Sequence, residues 1–189
     1  RADYGIDHVI FGNIDRKAPE IFHKIIDGDA EEIISLGSVK STEEIPVIRN
    51  PSINSLVEIM RGCGRGCTFC DPTTRRRLDM PLDHIMEEVK VNRLCFRHAV
   101  LHSDDFLLYG CDNRDFYPNR DALIDLISHV KGIDGIERVL PTHCSLSPVA
   151  ADEELIEKIS EICKRKPNAW LGIQPGIETG SPELIKKHM

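Results

Sequence analysis

Four times between residue 55 and residue 189, a short run of branched or apolar residues is followed by a longer segment with apolar residues every three or four positions. SLVEIM (55–60) precedes PLDHIMEEVKVNRLC (81–95), and HAVLH (98–102) precedes RDALIDLISHV (120–130). ERVLPTHCSL (137–146) precedes DEELIEKISEICKR (152–165), and AWLGIQPGI (169–177) precedes SPELIKKHM (181–189). The first kind of run reads as strand and the second as amphipathic helix. The helices are expected to bury Leu82, Ile85, Met86, Val89 and Leu94, then Leu123, Leu126, Ile127 and Val130, then Leu155, Ile156, Ile159 and Ile162. Asp152 and Ser181 sit where caps belong, with Pro182 at a first helical position. Repeated strand–helix units with short connections predict an α/β fold with a parallel sheet covered by helices. That sheet is either an open doubly wound layer or a strand–helix barrel truncated after about four units. Both place ligand sites at the C-terminal ends of the strands.

Upstream the pattern differs. DHVIFG (7–12) reads as a strand, and a helix is expected from Ala18 to Ile26, with Pro19 in its first turn and Gly28 as its stop. GSVKSTEEIPVIRNPS (37–52) carries two prolines and little periodicity, which is linker composition. The expected organisation is a C-terminal remnant of an upstream α/β domain over 1–36, a linker over 37–52 and a core domain over 53–189. The sequence reads as a fragment of a longer protein.

Composition narrows the function classes. No apolar run approaches the roughly 18 residues of a membrane-spanning helix, and the opening RADYGIDHVIF lacks the layout of a secretory signal. A formal charge of −7 argues against a nucleic-acid-binding surface spread over the whole chain. The seven cysteines are an odd number, four of them scattered singly, which does not fit a secreted disulfide framework. A reduced, cytoplasmic protein is expected.

The other three cysteines are crowded. RGCGRGCTFCDP (61–72) places Cys63, Cys67 and Cys70 within eight residues, directly after a strand and among Gly62, Gly64 and Gly66. Structural zinc takes four protein ligands, usually from repeated close pairs; here the spacing is CxxxCxxC with no second pair, so a lone Cys or His would have to complete the set. A [4Fe–4S] cluster takes about one thiolate per iron. Three thiolates leave one iron open, which is where a substrate or cofactor binds, and the glycines let the backbone wrap a bulky inorganic core. The open cluster is favoured; a zinc or non-catalytic iron–sulfur module remains the alternative.

Cys63-Gly-Arg-Gly-Cys67-Thr-Phe-Cys70 resembles the cluster motif of radical S-adenosylmethionine (SAM) enzymes, in which an aromatic residue precedes the third cysteine as Phe69 does. Together with HSDDFLLYG and GIETGSPELIKKHM, the stretch 53–189 looks like the subgroup that includes cobalamin-dependent radical SAM proteins and, more distantly, methylthiotransferases. The resemblance implies a partial (β/α) barrel of the radical SAM type. It implies that Cys63, Cys67 and Cys70 bind three irons of a [4Fe–4S] cluster and that SAM chelates the fourth. It places the main chain of Phe69 against adenine and Ser103, Asp104 and Asp105 at the segment that receives the methionine amino group. Ser145 would reach SAM, and Glu178 its ribose or methionine part. When bound, such a cluster cleaves SAM reductively to a 5′-deoxyadenosyl radical, fed by an external one-electron reductant of flavodoxin or ferredoxin type. The substrate stays open, with an RNA-modifying methylthiotransferase as an alternative. The N-terminal stretch resembles the end of a cobalamin-binding domain, which would bring cobalamin through residues outside this chain; the DxHxxG motif is absent, Asp7 and His8 being adjacent.

Other residues carry plainer readings. Arg75, Arg76 and Arg77 read as a solvated run that would otherwise meet a carboxylate or phosphate. His102 and His143 read as strand-end histidines, with a substrate-handling role as the sharper alternative. Cys144 reads as a small buried hydrophobe or a fourth ligand. Cys95, Cys111 and Cys163 carry no spacing signal, and Trp170 reads as packing.

Overall fold

The computed structural model describes residues 4–70, 76–112, 116–164 and 171–188, and these fall into two compact units, up to Pro46 and from Val47. The first unit pairs β1 (Val9–Phe11) with β2 (Ile33–Ser35) in parallel, joined by α1 (Ala18–Asp27). Gly28 ends α1 in the left-handed conformation, φ 78°, with its N–H on the Ile25 and Lys24 carbonyls. Gly12 is required for a different reason: a Cβ there would lie 2.1 Å from the Leu36 carbonyl oxygen. Ser41 and Glu44 form a capping box on a short 3₁₀ turn, and Val39 and Ile45 are buried, so structure continues into the stretch whose composition reads as linker.

The second unit holds the expected parallel sheet. β3 (Leu56–Glu58), β6 (His98–His102) and β7 (Arg138–Pro141) pair in the order β3–β6–β7, where β4 (Met60–Arg61) and β5 (Leu78–Asp79) form a small antiparallel pair between β3 and β6 in sequence. After Thr142 the chain resumes as β8 (His143–Ser145), which pairs in parallel with β9 (Gln174–Gly176). Mixed α/β structure with parallel strands is therefore present. The antiparallel β4–β5 pair departs from the expectation: SLVEIM is not one strand but two, with Ile59 between them donating its N–H to the His102 carbonyl at 2.9 Å.

Four longer helices cover or follow the strands: α2 (Leu82–Asn92), α3 (Arg120–Gly132), α5 (Glu153–Cys163) and α6 (Pro182–His188), with a short α4 (Leu146–Ala151) leading into α5. The predicted faces of α3 are all buried, with Leu123, Ile127 and Val130 at 0% exposure, and Leu155 and Ile159 of α5 pack inward as well. Asp152 caps α5 through Leu155 N–H at 3.1 Å and holds Arg120 by two short ion-pair contacts. Two expectations are corrected. Leu94 is 73% exposed, because α2 ends at Asn92 and carries the polar Glu88 and Asn92 inward instead. Those two residues accept the Ile48 and Ser52 N–H groups, which pins the chain entering β3. ERVLPTHCSL is not one strand: β7 ends at Pro141, β8 takes up His143–Ser145 and α4 begins at Leu146. Trp170 lies outside the described residues, and none of the described helices is long and apolar enough to cross a membrane.

Candidate functional site

The cysteine loop follows β4 directly. Three successive glycines, Gly62, Gly64 and Gly66, adopt φ of 70°, 78° and 71°, a conformation that costs other residues about 1 kcal/mol or more each. The curl of the loop depends on them. Cys63, Cys67 and Cys70 are half-buried, and none of the cysteines forms a disulfide among the described residues. Cys70 N–H closes a turn on the Cys67 carbonyl at 3.0 Å. Burial pushes the Cys63 thiol up, offset in part by the backbone N–H and the guanidinium of Arg65, with Cys70 and Asp104 near enough to push it further.

The predicted residues after β6 divide into distinct jobs. Asp104 is exposed and its Oδ2 accepts the buried Gly62 N–H at 2.7 Å, tying the first residue of the loop to the end of β6. Ser103 and Asp105 are 1% and 2% exposed, and Ser103 Oγ and Asp105 Oδ1 have no hydrogen-bond partner among the described residues. A buried polar atom without a partner costs about 1–3 kcal/mol, so these two atoms are poised for a group from outside. Asp105 Oδ2 is fully engaged: Ser145 Oγ donates to it at 2.5 Å and Arg65 Nη2 lies at 3.5 Å.

Arg65 was not singled out by spacing, yet it connects the site. Its Nη2 donates to Ser145 Oγ at 2.8 Å and Ser147 Oγ at 3.3 Å, and its guanidinium lies 5.0 Å from the centre of the Phe116 ring. Its partners lie 40 to 82 residues along the chain, so no local pattern could have revealed it. Thr68 makes a second unforeseen tie, its N–H on the His188 carbonyl at 3.1 Å and its hydroxyl against His188 Nδ1 at 2.8 Å, so α6 touches the loop.

The remaining predicted residues are scattered around the loop, the strand ends and the core. Phe69 is 57% exposed on the loop. The Glu178 carboxylate folds back over Gly176, which is the register partner of Ser145. His102 and His143 stand edge to face with ring centres 6.0 Å apart. Cys144 is 4% exposed, its thiol pushed up to about 11 by burial. It faces a cavity of about 20 Å³ lined by Phe106, Pro141, Ile156 and Ile159. That space is apolar and holds about one water at most, so Cys144 behaves as core. Of the arginine run, Arg75 lies outside the described residues, Arg76 is exposed, and Arg77 turns inward to Cys111 and Asp79.

Three thiols on one glycine-built loop, Cys63, Cys67 and Cys70, form a donor set of the kind that binds iron in a cluster. Thiolates that each bind a separate iron of a cluster need not converge, and a glycine-built loop adapts around such a core.

Comparison with known proteins places this arrangement. Residues 57–189 match the family model described as the radical SAM superfamily. Among curated proteins, the tRNA-2-methylthio-N(6)-dimethylallyladenosine synthase of Thermotoga petrophila is 28% identical over 185 residues, 96% of this chain and 40% of that protein. The synthases of the same name from Magnetococcus marinus and Colwellia psychrerythraea are 28% and 25% identical, each over 91% of this chain. The chain thus spans about 40% of the length of these relatives. The enzymes of the matched family use a [4Fe–4S] cluster and SAM, and with the match covering most of its length the chain belongs to the radical SAM superfamily.

Proposed function

We propose that this chain is the cluster- and SAM-binding part of a radical SAM enzyme of the methylthiotransferase-like kind, acting on an RNA base. The observation that carries the site is the division of labour after β6, where Asp104 anchors the loop through Gly62 while Asp105 Oδ1 and Ser103 Oγ stay buried and unpartnered beside it. Cys63, Cys67 and Cys70 would hold three irons. When bound, the cluster supplies the electron that cleaves SAM, taken from an external reductant.

The protein's own residues bind and orient. The buried carboxylate of Asp105, with one oxygen left over, suits the methionine ammonium as a charge-assisted partner, and Ser103 Oγ adds a second acceptor. This reading chooses Asp105 over Asp104 within the SDD segment, because Asp104 Oδ2 is already committed to Gly62. In this reading the Phe69 main chain lies against adenine, and Glu178, held over Gly176, reaches the ribose or methionine part of SAM. The parallel strands support a partial barrel.

The RNA reading rests on the relatives, whose names describe synthesis of a modified tRNA base. Their alignment takes in most of the first 46 residues as well. We therefore assign that unit to a part of the chain shared with such relatives, in preference to a cobalamin-binding remnant. A cytoplasmic enzyme fits this reading. The test is anaerobic reconstitution with iron and sulfide, followed by iron analysis and SAM cleavage under a chemical reductant. The account expects Cys63→Ala, Cys67→Ala and Cys70→Ala each to lose iron and cleavage while Cys144→Ala keeps both. Loss of metal in Cys144→Ala would favour a four-ligand structural module instead.

A further inference from the structure

We propose that Arg65, inside the cysteine loop, is a positioning residue that sets SAM affinity through Asp105 without itself contacting SAM. The inference rests on the assignment of Asp105 to the methionine ammonium made above and adds a residue to which neither the loop spacing nor the family match assigns a part.

The geometry argues for an indirect role. Arg65 Nη2 is spent on Ser145 Oγ, Ser147 Oγ and Asp105 Oδ2, at 2.8, 3.3 and 3.5 Å. The guanidinium carbon lies over the Phe116 ring, 5.0 Å from its centre. Its Nε is buried without a hydrogen-bond partner, and its side chain is only 24% exposed. Nη2 is thus committed to the protein, and most of the side chain is covered. What the fork does is fix its neighbours. Ser145 Oγ accepts from Arg65 and so directs its own proton to Asp105 Oδ2 at 2.5 Å. Both partners act on the same carboxylate oxygen, which locks the torsion of Asp105 and leaves Oδ1 as the presented acceptor. An always-charged, planar group whose fork is pre-organised loses less freedom in holding such contacts than a flexible ammonium. Because Arg65 lies between Cys63 and Cys67, the network also ties the loop that holds the cluster to the strands that hold the cosubstrate.

The deciding experiment measures SAM binding by equilibrium dialysis on the anaerobically reconstituted protein, with iron and sulfide content and thermal unfolding as controls. The variants are Arg65→Ala, Arg65→Lys, Asp105→Asn and the double variant Arg65→Ala/Asp105→Asn. Removing a charge-assisted partner from a buried carboxylate is expected to weaken SAM binding about tenfold in Arg65→Ala, with iron content retained. Arg65→Lys should recover part of the loss. In the Asp105→Asn background, removing Arg65 should add no further loss, because coupled residues are non-additive. Losses that multiply, unchanged affinity in Arg65→Ala, or loss of iron in that variant would each overturn the proposal while leaving the Asp105 assignment intact. Wild-type affinity in Asp105→Asn, or no SAM binding by the wild type, would instead defeat the functional reading and this inference with it.

Discussion

Removing the Asp104 carboxylate should loosen the start of the cysteine loop without unfolding the protein. Gly62 N–H is buried and its bond to Asp104 Oδ2, at 2.7 Å, is the contact that ties it to the segment after β6. A hydrogen bond to a charged group contributes about 1.5–3 kcal/mol, and a buried donor left alone costs a similar amount. In Asp104→Ala the free energy of opening the loop should therefore fall by about 1.5–3 kcal/mol, which raises the open fraction roughly 10- to 150-fold. Asp104 is exposed, so the packing of the core is untouched and the melting temperature should move by only a few degrees. The assay is native-state hydrogen exchange at the Gly62 amide of the metal-free protein. Asp104→Asn, which keeps an acceptor but loses the charge, should fall about midway. Unchanged protection at Gly62 in Asp104→Ala would refute the reasoning, and so would a collapse of protection across β6 and α3, which would mean that the contact supports the whole unit.

Further outcomes follow from other contacts. Gly12→Ala should disrupt the N-terminal unit alone, since the new methyl carbon would sit 2.1 Å from the Leu36 carbonyl oxygen at a φ of 94°; circular dichroism melts should show one transition destabilised and the other kept. Asp152→Ala removes a helix cap and a partner of Arg120, costing about 1–2 kcal/mol and lowering the melting temperature by about 2–8 °C, whereas Asp152→Asn, which keeps the cap, should cost less than half as much. The Arg120 guanidinium holds the Asp152 carboxyl below its ordinary value. A depressed carboxyl contributes stability present above its unfolded value near pH 4 and lost as the pH falls through the folded value, so the gap between wild type and Asp152→Asn should close in acid melts. Leu123→Ala, at a fully buried site on α3, should cost about 2–5 kcal/mol by denaturant unfolding.

What could be read from the chain and what could not divide along physical lines. The faces of α3 and α5 follow from helical period, and Asp152 as a cap follows from its place before the first apolar turn. The short strands that were read lie inside longer apolar runs, whereas β2 and β5 have no such run around them and β4 merges with β3 in SLVEIM. Leu94 misled because its spacing continued a helix that ends at Asn92, after which Arg93 follows with its side chain on Asp134. Within the site, the cysteines and the SDD segment were legible as local patterns. Arg65 was not, because its meaning lies in Asp105, in the segment after β6, and in Ser145, at the end of β8, both distant from it along the chain. The roles of Asp104 and Asp105 are also indistinguishable in sequence and separate only through burial and partners.

The central claim is that three thiolates hold a cluster with one iron left open to SAM. Electron paramagnetic resonance of the anaerobically reconstituted, reduced protein tests it most directly, recorded with and without SAM. The account predicts a [4Fe–4S] signal whose shape changes when SAM is added and which disappears in Cys67→Ala. A reconstituted protein that carries stoichiometric zinc and no cluster, or a cluster signal indifferent to SAM at saturating concentration, would contradict it.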